Sequence, residues 1–436
     1  MNESDNRQPK PKISVITLGC SKNIVDSEHL LGRLHLGNAA VVDDVDAADI
    51  AVINTCGFID EAKQESIDAI VEAVERKQNG KLRKVVVMGC LSERYRDDLQ
   101  KELPGVDAWF GSNQLGNVVV ELGVDYKREL LGERFLTTPS HFAYLKISEG
   151  CDRPCSFCAI PLMRGNHRTR PFEEVVEETR VLAARGVKEL VVIGQDTTYY
   201  GIDLYGERRL ASLLDALGST AGLEWVRLMY AYPSGFPREV LPVIREHPSI
   251  CKYIDLPLQH ASDPVLKSMR RGITEDSTRD LLEAIKSEIP GVAVRTTFIV
   301  GYPNETERDF QKLYDFVRET KFHRLGVFPY SHEDGTYAEI LGDPVPSEVK
   351  EERRSALMDL QKDISEERNQ NLVGTRVRIL IDRLDGEQAV GRTQWDAPEI
   401  DQEVYVKNGD SMTVGNFYDV TIVDAMEYDL YATAAP

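Results

Sequence analysis

The chain has 436 residues, 42% hydrophobic and 28% charged, with a formal net charge of −20 at pH 7. That length predicts two to four domains of ordinary globular composition, and the acidic balance argues against non-specific binding to phosphate backbones. No run of about 18 apolar residues suits a membrane span and the start, MNESDNRQPKPK, lacks a secretory signal's apolar run, so a cytosolic enzyme with no membrane partner is expected.

Three β-then-α patterns come first. KISVITLGC leads into a helical stretch from Asp26 to Leu34, ADIAVINTCGF into EAKQESIDAIVEAVERK, and KVVVMGC into LSERYRDDLQKEL. Short apolar runs alternating with helical segments predict a parallel sheet with covering helices. From about Tyr144 a second series begins, with candidate strands YLKIS, ELVVIGQD, WVRLMYAYP, YIDLPLQH, VAVRTTFIVGYP and RLGVFPYS. Helical stretches such as FEEVVEETRVLAARG, LLEAIKSEI and ETERDFQKLYDFVRET lie between them. Six such units predict an open (β/α) barrel with its chemistry at the C-terminal strand ends. A charged helix, SEVKEERRSALMDLQKDISEERNQNLVG, then leads to strand-like spacing in TRVRILIDRL, EQAVGRT, EVYVKN and FYDVTIVDAM. These pieces, separated by Gly and Asp turns, predict a small all-β module. The domain bounds expected are 12–138, 139–370 and 371–436.

Seven cysteines occur, an odd number that points away from a disulfide framework and toward reduced thiols or metal ligands. In EGCDRPCSFCAIP, Cys151, Cys155 and Cys158 form a C-x3-C-x2-C set. Structural zinc wants four closed ligands, so zinc stays a rival with His167 as the fourth donor. A cubane iron–sulfur cluster on three thiolates instead leaves one iron open to a small molecule, at the mouth of the barrel. Cys20, Cys56 and Cys90 each end a predicted strand, at intervals of 36 and 34 residues, about one β/α unit apiece. Strand C-termini border the ligand crevice of an open α/β sheet, so these three read as a second three-cysteine site. Cys251 has no partner at a telling spacing and reads as a core thiol.

The C-x3-C-x-Phe-x-C spacing, with Phe157 before the last cysteine, resembles the signature of the radical S-adenosylmethionine superfamily. That resemblance implies a 4Fe-4S cluster whose open iron chelates S-adenosylmethionine, with Phe157 beside the cofactor. Two three-cysteine sites followed by a small β module are similar to one family within it, the methylthiotransferases. The likeness runs from about Lys12 to the C-terminus. It implies two 4Fe-4S clusters, one cleaving S-adenosylmethionine and one supplying sulfur, and a terminal TRAM module that helps recognise the substrate. LGCSKNIVDSEHL, EGCDRPCSFCAIPLMRGNHRTRP, GQDTTYYG, DLPLQHAS and GRTQWDAPEIDQ resemble the ribosomal-protein branch, which modifies an aspartate β-carbon in protein twelve of the small subunit. The alternatives are a transfer RNA methylthiotransferase acting on a modified adenosine and a non-catalytic metal-binding protein.

Between Asn371 and Pro436 five basic residues face twelve acidic ones, a balance of −7. An RNA-binding module carries a basic face, so direct RNA contact by the TRAM module is not expected, whereas a basic ribosomal protein, alone or within the ribosome, is attracted. The resemblance also implies an electron donor as partner. It assigns Gln195, in GQD, and Gln259, in PLQH, to cofactor contacts, with an ordinary polar strand terminus as the competing role for each. His260 is either a proton carrier or a hydrogen-bonded structural residue. Arg164, Arg168 and Arg170 are candidates to grip the target carboxylate, with solvent-facing charge expected for at least two of them. No single catalytic acid or base is singled out.

Overall fold

In the computed structural model, which describes residues 11–37, 39–124 and 134–435, the chain divides into two units. The first takes residues up to Thr137 and the segment Ala159–Asn166; the second takes Thr138–Cys158 and everything from His167 onward.

The first unit is a five-stranded parallel sheet, β1 (Lys12–Thr17), β2 (Ala40–Val41), β3 (Ile50–Thr55), β4 (Lys84–Gly89) and β5 (Ala108–Trp109), in the order β2-β1-β3-β4-β5. Its helices are α1 (Ser21–Leu36), α2 (Asp60–Gln78), α3 (Cys90–Glu102), α4 (Leu115–Glu121) and α5 (Ile160–Arg164). Side chains alternate across a strand, so Val52 and Val86 pack with Leu30 and Val118 on one face. Ile53, Val85 and Val87 pack with Ile70, Val74 and Leu91 on the other. Each such side chain, taken fully from water, contributes about 1.5–3 kcal/mol before entropy is counted.

The second unit carries six parallel strands, β6 (Phe142–Lys146), β9 (Glu189–Ile193), β10 (Trp225–Leu228), β11 (Ile250–Asp255), β12 (Ala293–Val300) and β13 (Arg324–Pro329). The short antiparallel pair β7 (Ser148–Glu149) and β8 (Arg168–Thr169) stands apart. The order β13-β12-β11-β10-β9-β6 leaves the barrel open between its first and last strands, as expected. The helix Ser347–Gln370 then leads to a closed barrel of β14 (Arg376–Asp385), β15 (Gln388–Thr393), β16 (Glu403–Lys407), β17 (Phe417–Ala425) and β18 (Asp429–Ala434). Its interior holds Val377, Ile379, Val404, Val420, Ile422 and Leu430.

The small barrel closes the N-terminal, strand-start end of the large one. Arg227 Nη1 donates to the Gln394 carbonyl (2.7 Å), Tyr253 to Asp401 (2.8 Å) and Trp395 Nε1 to the Gly291 carbonyl (3.0 Å). Arg324 pairs with Asp396, and Arg392 with both Glu189 and Asp382. The stretch GRTQWDAPEIDQ is therefore a packing element. It also corrects the charge reading: of the module's twelve acidic residues, Asp396 and Asp401 face the large barrel's Arg324 and Arg295, and Asp382 is taken up by Arg392 of its own module and by His141. Four strands escaped the sequence reading, the two-residue β2, β5 and β8 and the terminal β18, and β7 was merged into the strand YLKIS. The first helix begins at Ser21, five residues before the expected Asp26. Among the described residues no helix is long and apolar enough to cross a membrane.

Candidate functional site

Cys20, Cys56 and Cys90 follow β1, β3 and β4, three strands adjacent in the sheet, so their thiols come to one edge. The approach is close enough to require glycine. Gly19 sits at φ +87°, and a Cβ there would lie 2.6 Å from Cys56 Cβ; Gly89 sits at φ +105°, where a Cβ would lie 2.5 Å from the Thr55 carbonyl oxygen. Asn23, wholly buried, ties the edge together: its Nδ2 donates to the Leu18 (2.7 Å) and Thr55 (3.1 Å) carbonyls. Arg164 from α5 donates Nε–H to Cys90 Sγ (3.2 Å), pairs through Nη1 with Asp26 (2.6 Å), and donates Nη2–H to Asn23 Oδ1. Burial pushes the Cys90 thiol up to about 12, with Cys20 and Cys56 adding to the rise and Arg164 opposing it. Burial raises Cys56 as well, again with Cys20 beside it. Thiols held protonated in this way are inert until a metal displaces the proton.

In the second unit Cys151, Cys155 and Cys158 follow β7 at the C-terminal end of the barrel strands. Cys155 Sγ accepts from Arg271 Nη1 (3.2 Å) and lies 3.5 Å from the Tyr232 hydroxyl. Burial, with Asp196 and Cys155 nearby, raises Cys151 to about 11. Gln195 lies two residues beyond β9 and donates Nε2–H to Glu149 (2.7 Å), which in turn accepts from Lys146 (2.6 Å). Gln195 Oε1 and Ser148 Oγ are buried with no hydrogen-bond partner among the described residues, polar atoms at the strand ends that a polar ligand would satisfy. Phe157 packs against Val265, Met269, Tyr302, Tyr330 and Ala338. Gln259 holds φ +75°, outside the region a side chain prefers; its amide donates to the Thr297 carbonyl and its carbonyl accepts from Ile299.

Among the described residues no three His, Cys, Asp or Glu side chains are drawn tightly enough to hold one ion. Zinc needs its thiolates at about 2.3 Å from a single centre. Cubane thiolates each go to a different iron, so a set of three cysteines suits a cluster with one iron left open. His167, the proposed fourth zinc ligand, instead sits 3.2 Å from Thr169 Oγ1 and 3.6 Å from Asp203. Cys251 is fully buried in β11, as a core thiol should be. His260 accepts from the Ser262 amide (2.9 Å), and burial holds it down at about 3, so it stays neutral and structural.

The arginine reading needs correction. Arg164 is buried in the first three-cysteine site, and Arg170 pairs with Glu178 (2.7 Å) while donating to the Lys146 carbonyl (2.7 Å); only Arg168 is exposed. Arg271, Tyr232, Asn23 and Ser148 were missed. A buried arginine in an acidic protein carries no signal in the sequence beyond its type.

Three family models match the chain: Uncharacterized protein family UPF0004 over residues 12–111, Radical SAM superfamily over 145–317, and TRAM domain over 373–435. Curated proteins resemble it end to end. The ribosomal protein uS12 methylthiotransferase RimO of Flavobacterium johnsoniae is 54% identical over 430 residues, covering 98% of each chain. The protein of the same name from Cytophaga hutchinsonii is 52% identical over 97% of each chain, and that of Bacteroides thetaiotaomicron 48% identical over 97% of this chain and 98% of its own. Among solved structures, the radical S-adenosylmethionine methyltransferase TsrM from Kitasatospora setae gives a TM-score of 0.56 at 14% identity, covering 76% of this chain and 77% of its own. The cobalamin-dependent radical enzyme OxsB gives 0.53 at 14% identity, covering 80% of this chain and 56% of its own. Likeness at that identity concerns the fold alone.

Proposed function

The chain belongs to the ribosomal protein uS12 methylthiotransferase (RimO) family of radical S-adenosylmethionine enzymes, and on that premise we infer that it puts a methylthio group on the β-carbon of an aspartate in uS12. It is a methylthiotransferase that works with S-adenosylmethionine and 4Fe-4S clusters. The observation that supports the reading is the placement of the cysteines, Cys20, Cys56 and Cys90 after three adjacent parallel strands of one unit, and Cys151, Cys155 and Cys158 in the segment after β7 in the other. A transfer RNA substrate is not favoured, since the full-length relatives bear the uS12 name.

In this reading Cys151, Cys155 and Cys158 hold the cluster that binds S-adenosylmethionine, and Cys20, Cys56 and Cys90 hold the auxiliary cluster. When bound, these groups supply a radical that takes hydrogen from an unactivated C–H position, where acid–base catalysis has no handle, together with the sulfur and methyl that replace it. The chain's residues bind and orient. Gln195 Oε1 and Ser148 Oγ receive the polar end of S-adenosylmethionine, Phe157 walls it, and the turn at Gln259 borders it. His260, held neutral by burial and accepting from the Ser262 amide, is assigned the structural role. We assign these tasks to parts spanning 12–138, 139–370 and 371–436. The partners are uS12, free or within the subunit, and a one-electron donor. The TRAM module makes no direct RNA contact, and the working compartment is the cytoplasm.

Variants of the two sites test the division of labour. Cys158→Ala should abolish reductive cleavage of S-adenosylmethionine. Cys56→Ala should retain cleavage and yield no methylthio product. Identical behaviour of two folded variants would contradict separate roles.

A further inference from the structure

Each three-cysteine site holds one buried arginine that donates to one of its sulfurs. Arg164 Nε reaches Cys90 Sγ at 3.2 Å in the first unit, and Arg271 Nη1 reaches Cys155 Sγ at 3.2 Å in the second. Both side chains are only 4% exposed, so water competes weakly for either contact. They differ in charge balance. Arg164 is paired with Asp26 at 2.6 Å, so a carboxylate offsets its charge. Arg271 has no carboxylate partner among the described residues. Its other hydrogen bond goes to the Pro257 carbonyl (2.5 Å), and its guanidinium lies 4.2 Å from the centre of the Tyr232 ring. Its cation therefore stays uncompensated, facing Cys155 and Cys158.

We propose that Arg164 and Arg271 are positioning residues that set the reduction potentials of the clusters held by their own sites, Arg271 the more strongly. Reduction adds negative charge to a group already ringed by thiolates. A buried N–H donor on a ligand sulfur and a nearby cation both stabilise the reduced form and raise the potential. Arg164, neutralised by Asp26, contributes chiefly its hydrogen bond; Arg271 contributes a hydrogen bond and a net charge. The pairing is specific to each site, so each arginine governs one cluster. This rests on the two-cluster reading above.

The test is an anaerobic redox titration of the iron- and sulfide-reconstituted full chain, each cluster followed by its paramagnetic resonance signal. The signals are assigned beforehand with Cys56→Ala and Cys158→Ala. In Arg271→Met the ratio of reduced to oxidised radical-site cluster at a fixed potential should fall about tenfold, a shift of about 59 mV for one electron, with the auxiliary midpoint unmoved. Arg271→Lys, which keeps the charge, should restore most of the shift. Arg164→Met should lower the auxiliary midpoint alone, and by less. Unmoved midpoints in loaded variants, or a lysine variant no better than methionine, would overturn the proposal. So would folded Met and Lys variants that bind no cluster, which would make the arginine an assembly requirement. A parent protein that reconstitutes with a single cluster would instead overturn the two-cluster reading on which the proposal stands.

Discussion

Removing one charge from the buried junction of the two barrels should cost more than removing its partner. Glu189, the first residue of β9, has no exposed surface and stands between Arg227 (2.8 Å) and Arg392 (2.6 Å). Arg392 keeps a second carboxylate, Asp382, at 2.7 Å, but Arg227 has no other among the described residues. Glu189→Gln preserves shape while leaving Arg227 a buried cation without a counter-ion, a loss of about 3–5 kcal/mol. Arg227→Met leaves Glu189 paired with Arg392 and fills most of the volume, so it should cost about 1–3 kcal/mol, the unpaired Gln394 carbonyl included. A surface control, Glu367→Ala at its exposed pair with Lys321, should leave the unfolding midpoint nearly unmoved. Urea unfolding followed by the fluorescence of Trp225 and Trp395 reports on this unit, since the third tryptophan, Trp109, belongs to the other. The reasoning is refuted if Glu189→Gln stays within about 1 kcal/mol of the parent, or if Arg227→Met is the more damaging change.

Burial, with Arg368, Arg324 and Lys286 near, holds His323 down at about 3, below the 6.5 of a free histidine. As pH falls from 6.5 toward 3 the unfolded chain binds a proton that the folded chain refuses, so stability is lost on acidification. His323→Phe should therefore flatten the fall in melting temperature between pH 7 and pH 5, and an unchanged slope would contradict it. Gly19→Ala places a Cβ 2.6 Å from Cys56 Cβ at a φ of +87°, so the auxiliary site should load less iron while the Cys158 site loads normally. Equal iron content in parent and variant would count against that. Gln195→Ala should weaken S-adenosylmethionine binding about tenfold, the loss of one buried hydrogen bond, and calorimetry giving an unaltered Kd would remove Gln195 from the cofactor site.

Much of this fold was legible because its strands are apolar runs that end in cysteine or polar residues. IAVINT and KVVVMG are buried strands and KISVIT a partly buried one, and the fixed interval between their cysteines follows from one β/α unit per strand. The C-x3-C-x2-C set is local, so its chemistry shows in a line of text. What stayed hidden is long-range or short. Arg164 meets Asp26 across 138 positions and Arg271 meets Cys155 across 116, and nothing in their local sequence distinguishes them from surface arginines. Strands β2 and β5 have two residues each, too few for a period to appear. The acids of GRTQWDAPEIDQ looked like recognition charge because composition cannot tell a face turned to solvent from one turned to buried arginines.

The central claim is methylthio transfer to a ribosomal-protein aspartate, and anaerobic turnover of the reconstituted enzyme tests it most directly. Small ribosomal subunits and bulk transfer RNA are offered separately with S-adenosylmethionine and reductant, and both products are mapped by mass. The account predicts a methylthio group on an aspartate of uS12 and an unmodified transfer RNA. Modification of transfer RNA with uS12 untouched would contradict it.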